Sequence, residues 1–215
     1  AKSELVVTKI SPKGINAVIR NVTLNWCFVD RPAQDKDDPL KAMYRTQMIL
    51  MGGEKEFVAS MKSALEQYMK SASVAWGADQ RMKVLKTALT LDVDKSLFKQ
   101  TDLGLSLAAH QTVRRETELD EFTAKYPPQL RLYDNTDCPP AMVQQEFYSG
   151  AIADVAVFIS AYDVDAGRGI TMYLNGVRKV ADGERIASID PFADVPPATN
   201  QISYKPGKKS KGVVL

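Results

Sequence analysis

A mixed α+β fold, mainly β, follows from three observations: a small twisted barrel with helical insertions and a flexible C-terminal tail. β-Branched stretches open the chain, one strongly amphipathic helix follows them, and two long alternating segments sit late in the sequence around a glycine turn. The 215 residues, 45% hydrophobic and 25% charged, are enough for one sizeable core without covalent staples.

Residues 4–10 and 17–29 read as strands, with Ser11-Pro12-Lys13-Gly14 as the turn between them. In the second strand Val22, Leu24, Trp26 and Phe28 share one face by period two, the face expected to be buried. Residues 31–40 read as a polar loop, and residues 42–51 as a strand stopped by Gly52-Gly53. Phe57, Val58, Met61, Ala64, Leu65, Tyr68, Met69 and Ala72 then recur at helical spacing, as a core-facing helix requires. A second helix is expected over residues 79–90. Residues 91–128 carry a weak, polar pattern that predicts loops, with a short helix over 116–123. Residues 130–133 predict a short strand. Two strong strands follow, 151–164 and 169–180, joined by a turn containing Gly167.

The totals narrow the function. No apolar stretch is long enough to span a bilayer, and the first residues carry no apolar signal region, so an intracellular protein without a membrane partner is expected. Cys27 and Cys138 are too few and too far apart for a disulfide scaffold and predict two reduced thiols. The net charge of +2 leaves local clustering of charge to decide any polyanion binding. His110 is the only histidine and has no nucleophile motif around it, which favours an ordinary structural or surface role. No Cys/His cluster has zinc spacing, and no phosphate-cradling glycine motif occurs. Asp163 and Asp165 before Gly167 read as a solvated turn, and Asp134, Asp137 and Glu146 as scattered loop acids. No cofactor or metal is expected, and no enzymatic activity.

The late hairpin is the informative segment. The odd positions Ala151, Ala153, Val155, Val157, Ile159 and Ala161 are uniformly apolar and form a core face, matched by Ile170, Met172 and Leu174 on the partner strand. The opposite face carries Phe158, Tyr162 and Tyr173, edged by Arg168, Arg178 and Lys179. Aromatic rings flanked by cations suit single-stranded nucleic acid, because bases stack on the rings and the cations follow the phosphates. A helix packed over this face, making a second core, is the competing expectation. Arg45 is a further candidate for phosphate contact, and Trp26 for stacking, although its strand face reads as buried.

The same region carries a resemblance. Glu146-Phe147-Tyr148-Ser149-Gly150, Ala161-Tyr162, Gly167-Arg168-Gly169-Ile170, Leu174-Asn175-Gly176-Val177-Arg178-Lys179-Val180 and Asp182-Gly183-Glu184 together resemble a family of bacteriophage single-stranded DNA-binding proteins with an OB fold. The match is specific over this stretch and looser over residues 18–194. Residues 24–29 resemble the family's first long strand, and 44–51 the strand before its helix. The resemblance implies an OB-fold-like binding domain over residues 1–195, followed by a flexible basic tail, 196–215. It also implies coating of single-stranded DNA without strong sequence preference, in phage DNA replication or recombination, in the cytoplasm of the infected bacterial host. Replication or recombination proteins would be further partners. Two departures stand out: the tail is basic, from Lys205 to Lys211, where many single-strand binders end in acid, and residues 79–128 have no counterpart. A structural or protein-interaction module on the same barrel, or a metal-dependent nuclease, are the alternative readings.

Overall fold

The computed structural model describes residues 1–186. β1 (Glu4–Ser11) turns tightly into β2 (Gly14–Gln34), in which Ile15, Val18, Ile19, Val22, Thr23, Trp26, Phe28 and Val29 supply the β-forming residues. β3 (Lys41–Leu50) returns along β2. Two helices follow, α1 (Glu54–Ser71) and α2 (Ala78–Leu89), then the short β4 (Lys99–Thr101) and β5 (Gly104–Arg114). β6 (Gln129–Arg131) precedes a single turn of 3-10 helix and the short α3 (Val143–Glu146). β7 (Ile152–Val164) and β8 (Gly167–Ala181) form the long hairpin.

Five of these strands close on themselves. β2 pairs with β3, β3 with β5, β5 with β8 in parallel, β8 with β7, and β7 again with β2. Closure needs strong coiling of β2, which its bulges supply. Its register shifts between Ile19 and Val22 against β7 and between Asn25 and Phe28 against β3, where Asn21 and Trp26 adopt left-handed φ values of 54° and 48°.

The core is continuous from the barrel into α1. Ile15, Ile19, Leu24, Met48, Leu107, Ile159, Met172 and Leu174 are buried with Phe57, Met61, Leu65 and Tyr68 of the helix. The helix dipole is complemented by Glu54 and Glu56 in the first turn and Lys70 in the last. Arg81 of α2 fixes the chain after α1 by donating to the carbonyls of Met69 and Ala72, groups that a helix end leaves without partners, and to that of Val74 beyond it.

The alternation of the hairpin and the stripe of α1 are as expected. Three expectations need correction. The weakly patterned region contains β5, in which Leu107, Ala109 and Val113 face the core; the adjacent Ala108 and Ala109, one outward and one inward, make its period faint. The helix expected over 116–123 does not form. Asp120 instead accepts hydrogen bonds from both the backbone and the hydroxyl of Thr117, at 2.8 and 2.9 Å, a local turn that competes with helix. The polar loop begins later than expected, because β2 continues to Gln34. The basic tail lies outside the described residues.

Candidate nucleic-acid interface

One row of cross-strand pairs runs round the outside of the barrel. Phe28 of β2 pairs with Arg45 of β3, Arg45 with His110 of β5, His110 with Tyr173 of β8, and Tyr173 with Phe158 of β7. Directly opposed residues share a face, so these side chains lie side by side. The Arg45 guanidinium sits 5.3 Å from the Phe28 ring centroid. His110 and Tyr173 have centroids 5.9 Å apart, and Tyr173 stacks on Phe158 at 6.4 Å with 25° between the planes. Tyr173 is 39% exposed and Phe28 37%. Arg45 is also exposed and has no carboxylate partner among the described residues. Phe158 is half-buried because its ring crosses Gly14, where a Cβ would stand 2.6 Å from the ring edge. Among the described residues no helix covers this row, since α1 packs against β1 and β2 and α2 meets β8 elsewhere.

Trp26 is 61% exposed, which corrects its expected burial. The left-handed residue shifts the alternation of β2, so Asn25 and Val29 turn inward while Trp26 and Phe28 turn out. Phe28 and His110 were not among the sequence candidates. The outward position of Phe28 depends on that bulge, and that of His110 on recognising β5.

The remaining candidates separate. Arg178 faces outward and pairs at 2.5 Å with Asp154, a buried carboxylate that also accepts the Asn21 N–H. Lys179 is not on this surface. Asn175 is an unpaired bulge residue between the Val157–Leu174 and Ala156–Gly176 pairs, so Lys179 points inward opposite buried Ala153. It is buried between Glu146, at 3.3 Å, and Asp182, at 2.8 Å. Burial alone would lower its ammonium pKa, but the hydrogen bonds to Asp182 and Glu146 outweigh that and raise it. Arg168 lies at the hairpin tip, 3.1 Å from Asp163 and facing α2, away from the row. Tyr162 shares the outward parity of Phe158 but stands further along the strand, its hydroxyl end over Gly169.

The motif Tyr148-Ser149-Gly150 and the corner Asp182-Gly183-Glu184 clasp each other around Lys179. The Tyr148 hydroxyl lies 3.1 Å from both Asp182 Oδ1 and the Gly183 carbonyl and accepts the Gly183 N–H at 3.2 Å. A side chain at Gly150 would collide with the Glu184 carbonyl. Lys179 and Arg185 both lie over the Tyr148 ring, at 4.9 and 4.1 Å.

The acids considered for metal chemistry are engaged separately. Glu146 holds Lys179, Asp134 accepts from Thr136, and Asp163 accepts from the Trp76 indole at 2.8 Å. Among the described residues no group of three or more His, Cys, Asp or Glu is placed to share a metal ion. Both cysteines are free thiols; burial, with the charge of Asp30, pushes the Cys27 thiol up to about 12. No helix of the described residues is long and apolar enough to cross a membrane. Desolvation, with the nearby charge of Lys41, lowers the His110 imidazole below its ordinary pKa.

A closed five-strand barrel whose third and last barrel strands pair in parallel, with an uncovered row of rings and a cation on its flank, is an OB fold. The family described as "Enterobacter phage Enc34, ssDNA-binding protein" matches residues 15–195. The chain belongs to that family. No curated protein matches it. Among solved structures it is similar to the single-stranded DNA-binding protein from bacteriophage Enc34 (TM-score 0.52, 15% identity, 87% of this chain and 95% of that one). The same phage protein in complex with ssDNA gives a TM-score of 0.53 at 15% identity, over 86% and 99% of the two chains. Gp2.5, a single-stranded DNA binding protein encoded by bacteriophage T7, gives 0.50 at 11% identity, over 94% and 100%. At these identities the structural likeness speaks for the fold, which agrees with the OB-like barrel expected from the sequence.

Proposed function

We propose that this protein binds and coats single-stranded DNA without strong sequence preference, through the row Phe28–Arg45–His110–Tyr173–Phe158 with Trp26 beside it. The observation that carries the reading is the continuity of that row: register sets these side chains shoulder to shoulder, and no helix of the described chain covers them. Stacking tolerates any base, because each base has a π-face. Family membership supports the reading. The protein acts by binding rather than catalysis, serving phage DNA replication or recombination, with proteins of those processes as further partners, in the cytoplasm of the infected bacterial host. Residues 1–195 are the binding unit, and the basic residues beyond 196 add electrostatic attraction.

Titration of a labelled oligonucleotide, with an equal-length duplex as competitor and at several salt concentrations, tests this. The single strand should win at every salt, with affinity falling steeply as salt rises. Equal affinity for both forms would refute it. Removing residues 196–215 should flatten the salt slope and leave the preference for single strands intact.

A further inference from the structure

Residues 126–135 run as a strap beside the barrel. β6 pairs in parallel with β8, Gln129 opposite Gly176 and Arg131 opposite Arg178. The approach is so close that a Cβ at Gly176 would lie 2.8 Å from the Gln129 carbonyl oxygen, so the strap seats there because the residue is glycine. The strap is tied to β5 at its start and closed on itself at its far turn. The Gln111 amide donates to the Tyr126 carbonyl at 2.7 Å, and Arg131 donates to the Asn135 carbonyl at 3.0 Å.

This wall turns one end of the open row into a groove of about 730 Å3. Its floor is Val18, Ala156, Phe158 and Tyr173, and its wall is Tyr126 and Pro127. Arg131 and Arg178 also line it. The arginines at this end are already matched: Asp154 holds Arg178 at 2.5 Å and Arg20 at 3.9 Å, Glu4 lies 3.9 Å from Arg20, and Asp137 lies 3.9 Å from Arg131.

We propose that this groove is a pocket for an unpaired nucleobase and that it, rather than the open row, discriminates single-stranded from duplex DNA. The proposal rests on the single-strand reading above. The volume falls within the roughly 300–1,000 Å3 of small-molecule sites. The floor offers aromatic faces to a base. The side-chain amides of Asn135 and Asn175, which also line the groove, each supply both donors and an acceptor for a base edge, while the Gln129 amide oxygen already accepts from Arg131 at 3.3 Å. Lys125, 5.3 Å from the Tyr126 ring centroid, adds positive charge at the rim. A base still paired has its hydrogen-bonding edge occupied and its partner strand attached, so it does not fit between strap and floor. The open row offers no such obstacle.

The test compares wild type, Tyr126→Ala and Asn175→Ala for binding to a labelled single strand and to a duplex of equal length. Tyr126 is 73% exposed, so its loss leaves folding intact, which a thermal melt verifies; Asn175, also exposed, gives the second reading. Tyr126→Ala should weaken single-strand binding about tenfold, with duplex affinity unchanged, narrowing the preference by the same factor. Asn175→Ala should narrow it in the same direction. If wild type prefers single strands and both variants keep that preference, the groove is not the selector. Equal losses on both DNAs overturn the proposal too, because they mark a contact indifferent to pairing. A wild type without single-strand preference removes the underlying reading itself, whatever the variants do.

Discussion

The open end of the β7–β8 hairpin and the row that crosses its middle use the same residue types for opposite purposes. At the clasp, Tyr148, Lys179, Asp182 and Glu146 satisfy one another in a closed set of hydrogen bonds and ion pairs. Along the outer row, Tyr173 stacks on Phe158 and lies beside His110, while Tyr173 and Arg45 stay exposed to solvent. An aromatic beside a cation is therefore not in itself a binding surface. What separates the regions is whether the cation already has its counter-ions and whether the ring lies beneath the chain. The motifs that mark this family in the sequence belong largely to the clasp: they report how the barrel end is closed, while the row that meets solvent carries no comparable signature.

Lys179→Met gives the largest effect expected from this contrast. It leaves Glu146 and Asp182 without their cation and should cost about 1.5–3 kcal/mol of stability, the range for hydrogen bonds to a charged group, because the carboxylates left behind reach solvent, the Asp182 side chain being 83% exposed. Urea unfolding measures it. Oligonucleotide affinity of the folded fraction should not change; a loss of affinity there would place the clasp in the interface and erase the contrast.

Phe158 and Tyr173 sharpen it from the other side. Tyr173→Ala should cost roughly 1–3 kcal/mol of binding and little stability, since an exposed ring contributes little burial energy. Phe158→Ala should lower both, because this ring stacks on Tyr173 and also packs across Gly14. Thermal melting beside affinity for the two variants separates the roles; a large melting loss for Tyr173→Ala with unaltered affinity would move the surface elsewhere.

How far the sequence reveals this depends on where alternation runs unbroken. β7 is apolar at every odd position from Ala151 to Ile159, and the structure buries those residues; Phe158 and Tyr173 were legible for that reason. Trp26 and Phe28 were not, because the register of β2 shifts at a left-handed tryptophan, an uncommon conformation for a bulky residue that no local residue type announces. The Asn175 bulge reverses parity in the same way and exchanges Arg178 for Lys179 on the outer face. Adjacent strand residues point to opposite sides, so one of that pair had to be inward; the bulge decides which. The parallel meeting of β5 and β8, which brings His110 to Tyr173, joins segments far apart in the chain, and no pattern within either strand encodes it.

Arg45→Ala should have a smaller and more specific effect. The side chain is exposed, so folding should be nearly indifferent. Loss of one phosphate contact should weaken binding similarly for all sequences and reduce the slope of log affinity against log salt by about one. An unchanged slope would mean that Arg45 serves only to hold the Phe28 ring.

His110 gives the smallest effect and the finest test of whether the row is one surface. Its neighbours in the row are Arg45 and Tyr173, and it lies within the field of Lys41. Burial, then that positive charge, lower its pKa below the ordinary value of about 6.5. In the free protein the imidazole is therefore neutral near neutrality and takes its proton only as pH falls below that ordinary value. Two consequences of opposite sign follow. In the unfolded chain the imidazole protonates first, so this group's contribution to stability is present above the unfolded pKa and is lost as pH falls through the folded one. A DNA phosphate alongside favours the charged form, so binding should strengthen over the same fall in pH, with up to about one additional unit of salt slope. His110→Gln should remove both trends while leaving affinity at neutral pH nearly unchanged. Affinity and urea stability measured across that pH range, for wild type and variant, decide the matter: a pH-dependent gain that survives in His110→Gln would show that the proton sits elsewhere and that His110 only fills space between Arg45 and Tyr173.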